Sequence, residues 1–283
     1  MALPHQNHTL RTLAAATSIV DNECMTLELT VFQGSAGDRN SRGWAGAAAT
    51  GQELGRRLGT DAVVVGTPRE PLGANWDVEL AAAADGYRAL AERYVSVFET
   101  GAVPVTLINR CAVAIATLPI VARYHPDAVV LWFDGHADLN VPGGTTTGYL
   151  GGLAFSAALG LWDSGFGAGL AADQAILCGA RDIDEPEQAV IDAGGVTAIP
   201  VEKLFDDLET AIAGRPVYVH IDCDVFEPGQ VETEYSVPGG LTLDQFERLA
   251  HIIARSEVVG VELGEYEGST PAALLNAVAP LLG

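Results

Sequence analysis

The sequence has few basic residues, few cysteines and no long apolar run, and each shortage argues against a class of protein. Only 15 Lys and Arg residues stand against 37 Asp and Glu residues, which gives a formal net charge of −22 at pH 7. Such an acidic surface repels phosphate backbones, so we expect no nucleic-acid partner. The acidity favours solubility, and it would also attract a cationic substrate.

Membrane and secretory functions are not indicated either. No apolar segment approaches the roughly 18 to 20 residues that a membrane-spanning helix needs, and the N-terminus lacks the pattern of a signal peptide. The four cysteines form no CxxC pair and no disulfide framework. We therefore expect a cytoplasmic protein with free thiols and no membrane partner.

What the chain does contain is an alternation of short β-branched segments and amphipathic segments. Hydrophobic residues make up 48% of the sequence, which is enough for a large core. The alternation predicts one α/β domain over residues 25–283, with a mainly parallel sheet of about eight strands. Residues 1–24 lack periodicity and are expected to be a disordered extension. The predicted strands are 27–32, 62–65, 103–107, 129–133, 175–177, 196–199, 217–221 and 258–263, and the predicted helices are 45–58, 78–98, 113–124, 185–193 and 243–254.

Acidic residues follow two of the predicted strands, at the edge where parallel sheets bind their ligands. The fourth strand is followed by Asp134, His136 and Asp138, and the seventh by Asp222 and Asp224. Residues two apart in extended backbone project to one side, so each set can converge. Four carboxylates and an imidazole suit divalent ions such as Mn²⁺, and they would repel one another without cations. Either motif alone is typical of solvated loop acids, but the two together predict a metal site.

Four stretches of the sequence resemble the ureohydrolase family, which includes arginase and agmatinase. They are WFDGHADLN at 132–140, GARDIDEPE at 179–187, HIDCDVFEP at 220–228 and VVGVELGEY at 258–266. The resemblance covers most of residues 25–283 and implies an arginase-like, three-layer α/β/α fold. It also implies two Mn²⁺ ions, with a hydroxide between them that would attack a guanidinium carbon.

The resemblance also implies a metal-binding role for each residue of the two acidic motifs. Asp134 and Asp222 would bridge the two ions. Asp138 would complete one site, with a catalytic role as well, and His136 and Asp224 would complete the other.

Further matches imply contacts to a guanidino amino acid. Glu262 matches the acid that pairs with the guanidinium group. Asp184 and Glu187 match positions that hold an α-ammonium group, and Asn140 and Thr147 match positions that face an α-carboxylate. Ordinary turn and helix-cap roles stay open for Asp184, Glu187 and Asn140.

Two departures from the family pattern narrow the expected activity. Cys111 stands where the family has a histidine ligand, and we expect it to bind metal, although a merely packed thiol is the alternative. Gly151 stands where arginases have a proton-shuttle histidine, and losing an acid–base group costs about 10² to 10⁴ in rate. The departures resemble the branch in D-cycloserine biosynthesis that converts Nω-hydroxy-L-arginine to hydroxyurea and L-ornithine.

Three functions therefore remain open from the sequence. Hydroxyarginine hydrolysis is favoured, cleavage of arginine or another guanidino compound is the second, and a catalytically silent binding protein is the third. His220, two residues before Asp222, could replace the proton shuttle or could be a satisfied strand histidine. The oligomeric state and the native metal are not fixed by the sequence.

Overall fold

An eight-stranded parallel sheet forms the centre of the structure, a computed structural model that describes residues 26–283. The strand order is β2-β1-β3-β8-β7-β4-β5-β6, and all neighbouring pairs are parallel. The strands are β1 (Leu27–Phe32), β2 (Val63–Val65), β3 (Val103–Leu107), β4 (Val129–Phe133), β5 (Ala175–Cys178), β6 (Thr197–Ile199), β7 (Val217–Asp222) and β8 (Val258–Gly264). The predicted sheet is confirmed, with strand ends within one residue of the prediction.

Helices cover the sheet on both faces and give the predicted three layers. They are α1 (Arg42–Leu58), α2 (Trp76–Glu99), α3 (Ala114–Tyr124), α4 (Ala154–Ala158), α5 (Glu185–Asp192), α6 (Leu204–Ile212), α7 (Leu243–Ile253) and α8 (Ala272–Val278). Helices α1, α6, α7 and α8 pack on one face, and α2, α3 and α4 pack on the other. The two resulting cores lie on opposite sides of one sheet, as in other doubly wound α/β proteins.

The central strands are buried on both faces because their side chains alternate between the two cores. In β4, Leu131 and Phe133 belong to the core under α6 and α7, whereas Val130 and Trp132 belong to the core under α2 and α3. This alternation decides which of the two cores each strand residue joins.

One row across the sheet is unusually polar. Thr106, Glu262, His220 and Trp132 are paired in register on β3, β8, β7 and β4, in that order. The row lies under α2 and α3, where Tyr94 and Thr117 donate hydrogen bonds to Thr106 and Glu262. It is therefore an internal layer, separate from the loops at the strand ends.

The predicted disordered extension at 1–24, including Cys24, lies outside the described residues. Across residues 26–283, the structure contains no helix with the length and apolarity needed to cross a membrane.

Candidate active site

A pocket of about 230 Å³ opens at the carboxyl ends of the central strands. The wall includes Cys111, His136 and Thr147. Among the described residues that line the pocket, His136 is the one basic side chain. Seven carboxylates line it: Asp138, Asp182, Asp184, Glu187, Asp222, Asp224 and Glu265. Such a wall attracts cations, so it suits metal ions and a basic substrate.

The first group of candidate ligands comprises Asp134, His136 and Asp224, whose ligand atoms lie within 4.8 Å of one another. His136 Nδ1 lies 2.8 Å from Asp224 Oδ2 and 3.5 Å from Asp134 Oδ1. Trp132 Nε1 donates to Asp134 Oδ2 at 2.9 Å, and the Gly135 amide donates to Asp224 Oδ1 at 2.7 Å. These bonds fix the orientation of the carboxylates, as is usual for groups around a metal.

Cys111 brings the remaining candidate ligands together. It begins a short 3₁₀ turn (Cys111–Val113) directly after β3 and is buried. Its ligand atom groups with Asp134 and Asp138, and also with Asp222 and Glu265. The Sγ atom lies 3.0 Å from Asp222 Oδ2. All six residues that the sequence proposed as ligands thus meet at one edge of the sheet.

Asp138 owes its position to an unusual backbone conformation. Its φ is 52°, in the left-handed region that side chains rarely adopt. Its carbonyl accepts hydrogen bonds from the amides of Phe155 and Ser156 at 3.0 and 3.1 Å. Strain of this kind persists where the surroundings hold it, and it is commonest at functional sites.

The electrostatics of the six residues fit divalent cations. Burial and the neighbouring Asp224 raise the pKa of Asp134 to about 7, and burial with nearby carboxylates raises the pKa values of Asp138 and Asp222 well above their usual range. Carboxylates that resist ionisation in this way are stabilised as anions by a bound cation. Burial likewise raises the pKa of the Cys111 thiol, which a metal would reverse. The donor set therefore fits two metal ions.

The opposite end of the pocket is formed by the start of α5. Glu187 accepts hydrogen bonds from the amides of Leu139 and Asp184 at 3.0 and 2.9 Å, so it does serve as a helix-cap residue. Asn140 donates to Asp184 Oδ2 at 3.1 Å, and its buried Oδ1 has no partner among the described residues. A carboxylate can accept about four hydrogen bonds, so Asp184 and Glu187 retain capacity for an ammonium group.

Tyr149 fills the space in front of Gly151. A Cβ atom at Gly151 would lie only 2.4 Å from Tyr149 Cε1, closer than real contacts allow. The Tyr149 hydroxyl lies 3.5 Å from Glu265 Oε1, and Thr147 Oγ1 accepts the Tyr149 amide at 3.2 Å. The ring of Tyr149 therefore occupies the space that a histidine side chain at position 151 would need.

Comparisons with known proteins agree with this geometry. A family model described as the arginase family matches residues 60–272. The chain belongs to the arginase family. It is 41% identical to the N(omega)-hydroxy-L-arginine amidinohydrolase of Streptomyces lavendulae over 263 residues, which are 90% of this chain and 96% of that protein.

Solved arginase structures share the fold. The arginase of Bacillus subtilis superposes with a TM-score of 0.77 at 20% identity, covering 91% of this chain and 98% of its own. The arginase of Entamoeba histolytica, solved with L-ornithine, gives a TM-score of 0.79 at 17% identity, with 91% and 98% coverage. Identities this low establish the fold alone, and the arginase-like α/β/α prediction is thereby confirmed.

The structure of this arginase-family chain corrects two predicted roles. Glu262 and His220 are fully buried and have no surface on the pocket wall. They lie inside β8 and β7, before the strand ends, on the sheet face that α2 and α3 cover. The predictions that Glu262 pairs with the substrate and that His220 shuttles its protons are therefore wrong.

The residue that the sequence analysis missed is Glu265. It follows the end of β8, has a φ of 59°, and lines the pocket beside Cys111. The Cys111 amide donates to its Oε1 at 3.0 Å, and Arg110 Nη1 donates to its Oε2 at 2.6 Å. The rule applied to the other strands, that ligand-binding residues follow the strand end, would have selected Glu265. Asp182, Tyr149 and Tyr235 also line the pocket and were not predicted as site residues.

Proposed function

We propose that the chain is a binuclear-metal amidinohydrolase that cleaves Nω-hydroxy-L-arginine to hydroxyurea and L-ornithine. The observation that carries this proposal is the 41% identity to a protein of that name, spread over 90% of this chain and 96% of the relative. The pocket supports it, because its acidic wall suits a basic amino acid and because Cys111 and Gly151 both face that pocket.

The metal ions would be held by residues that already converge: Cys111, Asp134, His136, Asp138, Asp222 and Asp224. Carboxylate-rich sites with one imidazole suit Mn²⁺, and the thiolate adds a softer ligand. Two such ions would lower the pKa of bound water and so supply a hydroxide nucleophile near neutral pH.

The substrate would be oriented by the groups around the ions. Glu265 takes the pairing role that the sequence gave to Glu262, because its Oε1 side faces the pocket. Asp184 and Glu187 would hold the α-ammonium group, and Thr147 with Asn140 would lie near the α-carboxylate. Asp138 would remain both a ligand and a residue that touches the reacting atoms.

Arg110 gives a reason for a preference for hydroxyarginine. Arg110 Nη1 donates a hydrogen bond to Glu265 Oε2 at 2.6 Å. The guanidinium therefore partly compensates the charge of this carboxylate before a substrate binds. A compensated carboxylate stabilises a full guanidinium cation less than a free one does. N-hydroxylation makes a guanidine less basic. The hydroxylated substrate therefore depends less than arginine does on an uncompensated carboxylate at Glu265.

A side-by-side assay tests the proposal. We expect kcat/KM to be highest for Nω-hydroxy-L-arginine, lower for L-arginine and lowest for agmatine, which has no carboxylate to pair near Thr147. Each tenfold difference corresponds to about 1.4 kcal/mol of transition-state discrimination. Cleavage of L-arginine at equal or higher efficiency would instead identify an arginase, and metal binding without any hydrolysis would identify a silent binding protein.

Restoring a histidine at position 151 should not by itself restore arginase activity. Gly151→His places a Cβ against the Tyr149 ring, so we expect lower activity on both substrates. Tyr149→Ala combined with Gly151→His removes the obstacle, and there the gap between L-arginine and hydroxyarginine should narrow. Tyr149→Ala alone is the control. A narrower gap in Gly151→His alone would contradict the steric interpretation.

A further inference from the structure

Three buried side chains form a continuous hydrogen-bonded chain behind the pocket. His220 Nε2 lies 3.1 Å from Cys111 Sγ, and His220 Nδ1 lies 2.8 Å from Glu262 Oε2. Glu262 and His220 are fully buried, and Cys111 is 2% exposed. The chain therefore runs from the pocket wall into the sheet without access to solvent.

The surroundings hold this chain in one geometry. The Trp132 ring stacks on the His220 ring at 3.6 Å with an interplanar angle of 4°. Thr117 donates its hydroxyl to Glu262 Oε1 at 3.1 Å. His220 is paired in register with Glu262 on one side and with Trp132 on the other. A histidine that stacks on Trp132 and is contacted at both nitrogens is a positioned group and not a mobile one.

The charges explain why such a group is needed at Cys111. A cysteine ligand adds an anion, whereas a histidine ligand would be neutral. Here the sulfur would join Asp134, Asp138 and Asp222, which already repel one another. His220 Nε2, 3.1 Å from the sulfur, is the hydrogen-bonding group that fixes the sulfur among these carboxylates, and Glu262 Oε2 fixes the His220 ring in turn at 2.8 Å.

We propose that Glu262 and His220 are positioning residues that hold the Cys111 sulfur in place as a metal ligand. In this arrangement His220 contacts Sγ through Nε2, and the Glu262 carboxylate orients the imidazole through Nδ1. The inference rests on the proposed function, because it takes Cys111 to be a metal ligand. The inference gives a role to Glu262 and His220, which do not line the pocket, and this role involves no contact with the substrate.

Replacing the metal by Co²⁺ makes the sulfur ligand visible, because a thiolate bound to Co²⁺ gives a charge-transfer absorption in the near ultraviolet. The wild-type protein loaded with Co²⁺ should show this band, and Cys111→Ser should lose it. Glu262→Gln, which keeps the size of the side chain, should weaken or shift the band. It should also weaken Co²⁺ binding about 10- to 100-fold, the range found when groups around a ligand are changed.

Tyr94→Phe is the matched control. Tyr94 is equally buried in the same polar layer, and its hydroxyl contacts Thr106 and Tyr218 but not the chain to Cys111. This variant should leave the band and the Co²⁺ affinity unchanged. Far-ultraviolet circular dichroism and thermal unfolding of each variant separate a local effect from loss of the fold.

A double-mutant cycle tests whether His220 acts through the sulfur. His220→Phe keeps an aromatic ring on Trp132 but donates no hydrogen bond. When Cys111 is present, His220→Phe and Glu262→Gln together should weaken Co²⁺ binding. When Cys111→His provides a neutral ligand instead, the same two substitutions should have little further effect on Co²⁺ binding. Equal losses in both backgrounds, or an unchanged band in Glu262→Gln, would overturn the inference. If the band changes as expected while hydroxyarginine is not cleaved, the proposed function fails and this inference stands.

Discussion

Two groups of buried carboxylates lie side by side in this molecule, and they differ in how their charge is neutralised. The first surrounds Arg110, whose fully buried guanidinium contacts Asp38, Glu234, Glu265 and Glu267 at 2.6 to 3.4 Å. The second group contains the six candidate metal ligands, where His136 is the basic side chain among the described residues. In the first group the protein supplies a guanidinium that is always charged, whereas in the second it supplies one imidazole for four carboxylates.

The difference separates structure from function. Although burial alone would lower the pKa of Arg110, Glu265 and the other acids raise it, so this cation is permanent. In the Asp134 group, His136 lowers the pKa of Asp134 but burial and Asp224 outweigh it, so this group suits added cations that exchange with solvent. Glu265 connects the two groups, because its Oε2 accepts a hydrogen bond from Arg110 and its Oε1 accepts one from the amide of Cys111. The structural group thus positions one wall of the pocket.

Asp222→Asn should produce the largest change in activity. It should lower the rate of hydrolysis but raise the stability of the metal-free protein. We expect metal binding to fail at one site or both and hydrolysis to fall by at least about 10³-fold, or roughly 4 kcal/mol. The metal-free protein should become more stable at pH 7, because a carboxylate that burial and its neighbours oppose has been removed.

The measurement is metal content, kcat/KM and thermal unfolding with and without chelator. Asp173→Asn, at a side chain that is 83% exposed, should change none of them. A metal-free Asp222→Asn protein that is less stable than the metal-free wild type would show that the second group does not need an added cation.

Arg110→Met should produce the largest loss of stability. Removing one partner of a buried ion pair leaves uncompensated charge and typically costs about 3 to 5 kcal/mol. The loss should be similar with and without metal, because the Arg110 group does not depend on bound ions. Urea unfolding would measure it.

Arg42→Met is a close control, because Arg42 also pairs with Glu267 but its side chain is 59% exposed. An exposed pair of this kind contributes about 0 to 1 kcal/mol. Equal losses in the two variants would mean that burial of Arg110 is not what makes its group structural.

The fold could be predicted largely because burial on both faces of the sheet leaves a strong apolar signal. All eight strands were identified, since segments such as VVLWF in β4 have few other structural solutions. Helices α4, α6 and α8 were not predicted. Helices α4 and α8 have 5 and 7 residues, too few for a periodic pattern to stand out from the neighbouring loops. Length does not explain α6, because its 9 residues exceed the 8 of the predicted α5.

The convergence of the candidate metal ligands could be predicted for a similar reason, because strand ends and a spacing of two place Asp134, Asp138 and Asp222 on one edge. The same parity argument failed for His220. It gives the face of the strand but not whether that face meets the pocket or a helix. Glu262 was preferred to Glu265 because the acidic position of the family motif was assigned to a residue inside β8, whereas Glu265 directly follows that strand. Tertiary contacts, such as the hydrogen bond of Arg110 to Glu265, leave no local signal in the sequence.

The smallest expected effect concerns Asp38, the member of the Arg110 group whose carboxylate lies farthest from the guanidinium. Its Oδ1 lies 3.4 Å from Arg110 Nε, and burial outweighs that charge and raises the pKa of Asp38 from 3.8 to about 6. The folded state then binds this proton more tightly than the unfolded state, so the stabilisation is complete below pH 3.8 and is lost as the pH rises to about 6. That rise corresponds to about 3 kcal/mol at most. Asp38→Asn should remove this part of the pH dependence in urea unfolding between pH 4 and 7, whereas Asp173→Asn should leave the curve parallel to wild type. If Asp38→Asn also runs parallel, Arg110 neutralises all of its acidic partners, and the contrast between the two groups is sharper than the pKa of Asp38 indicates.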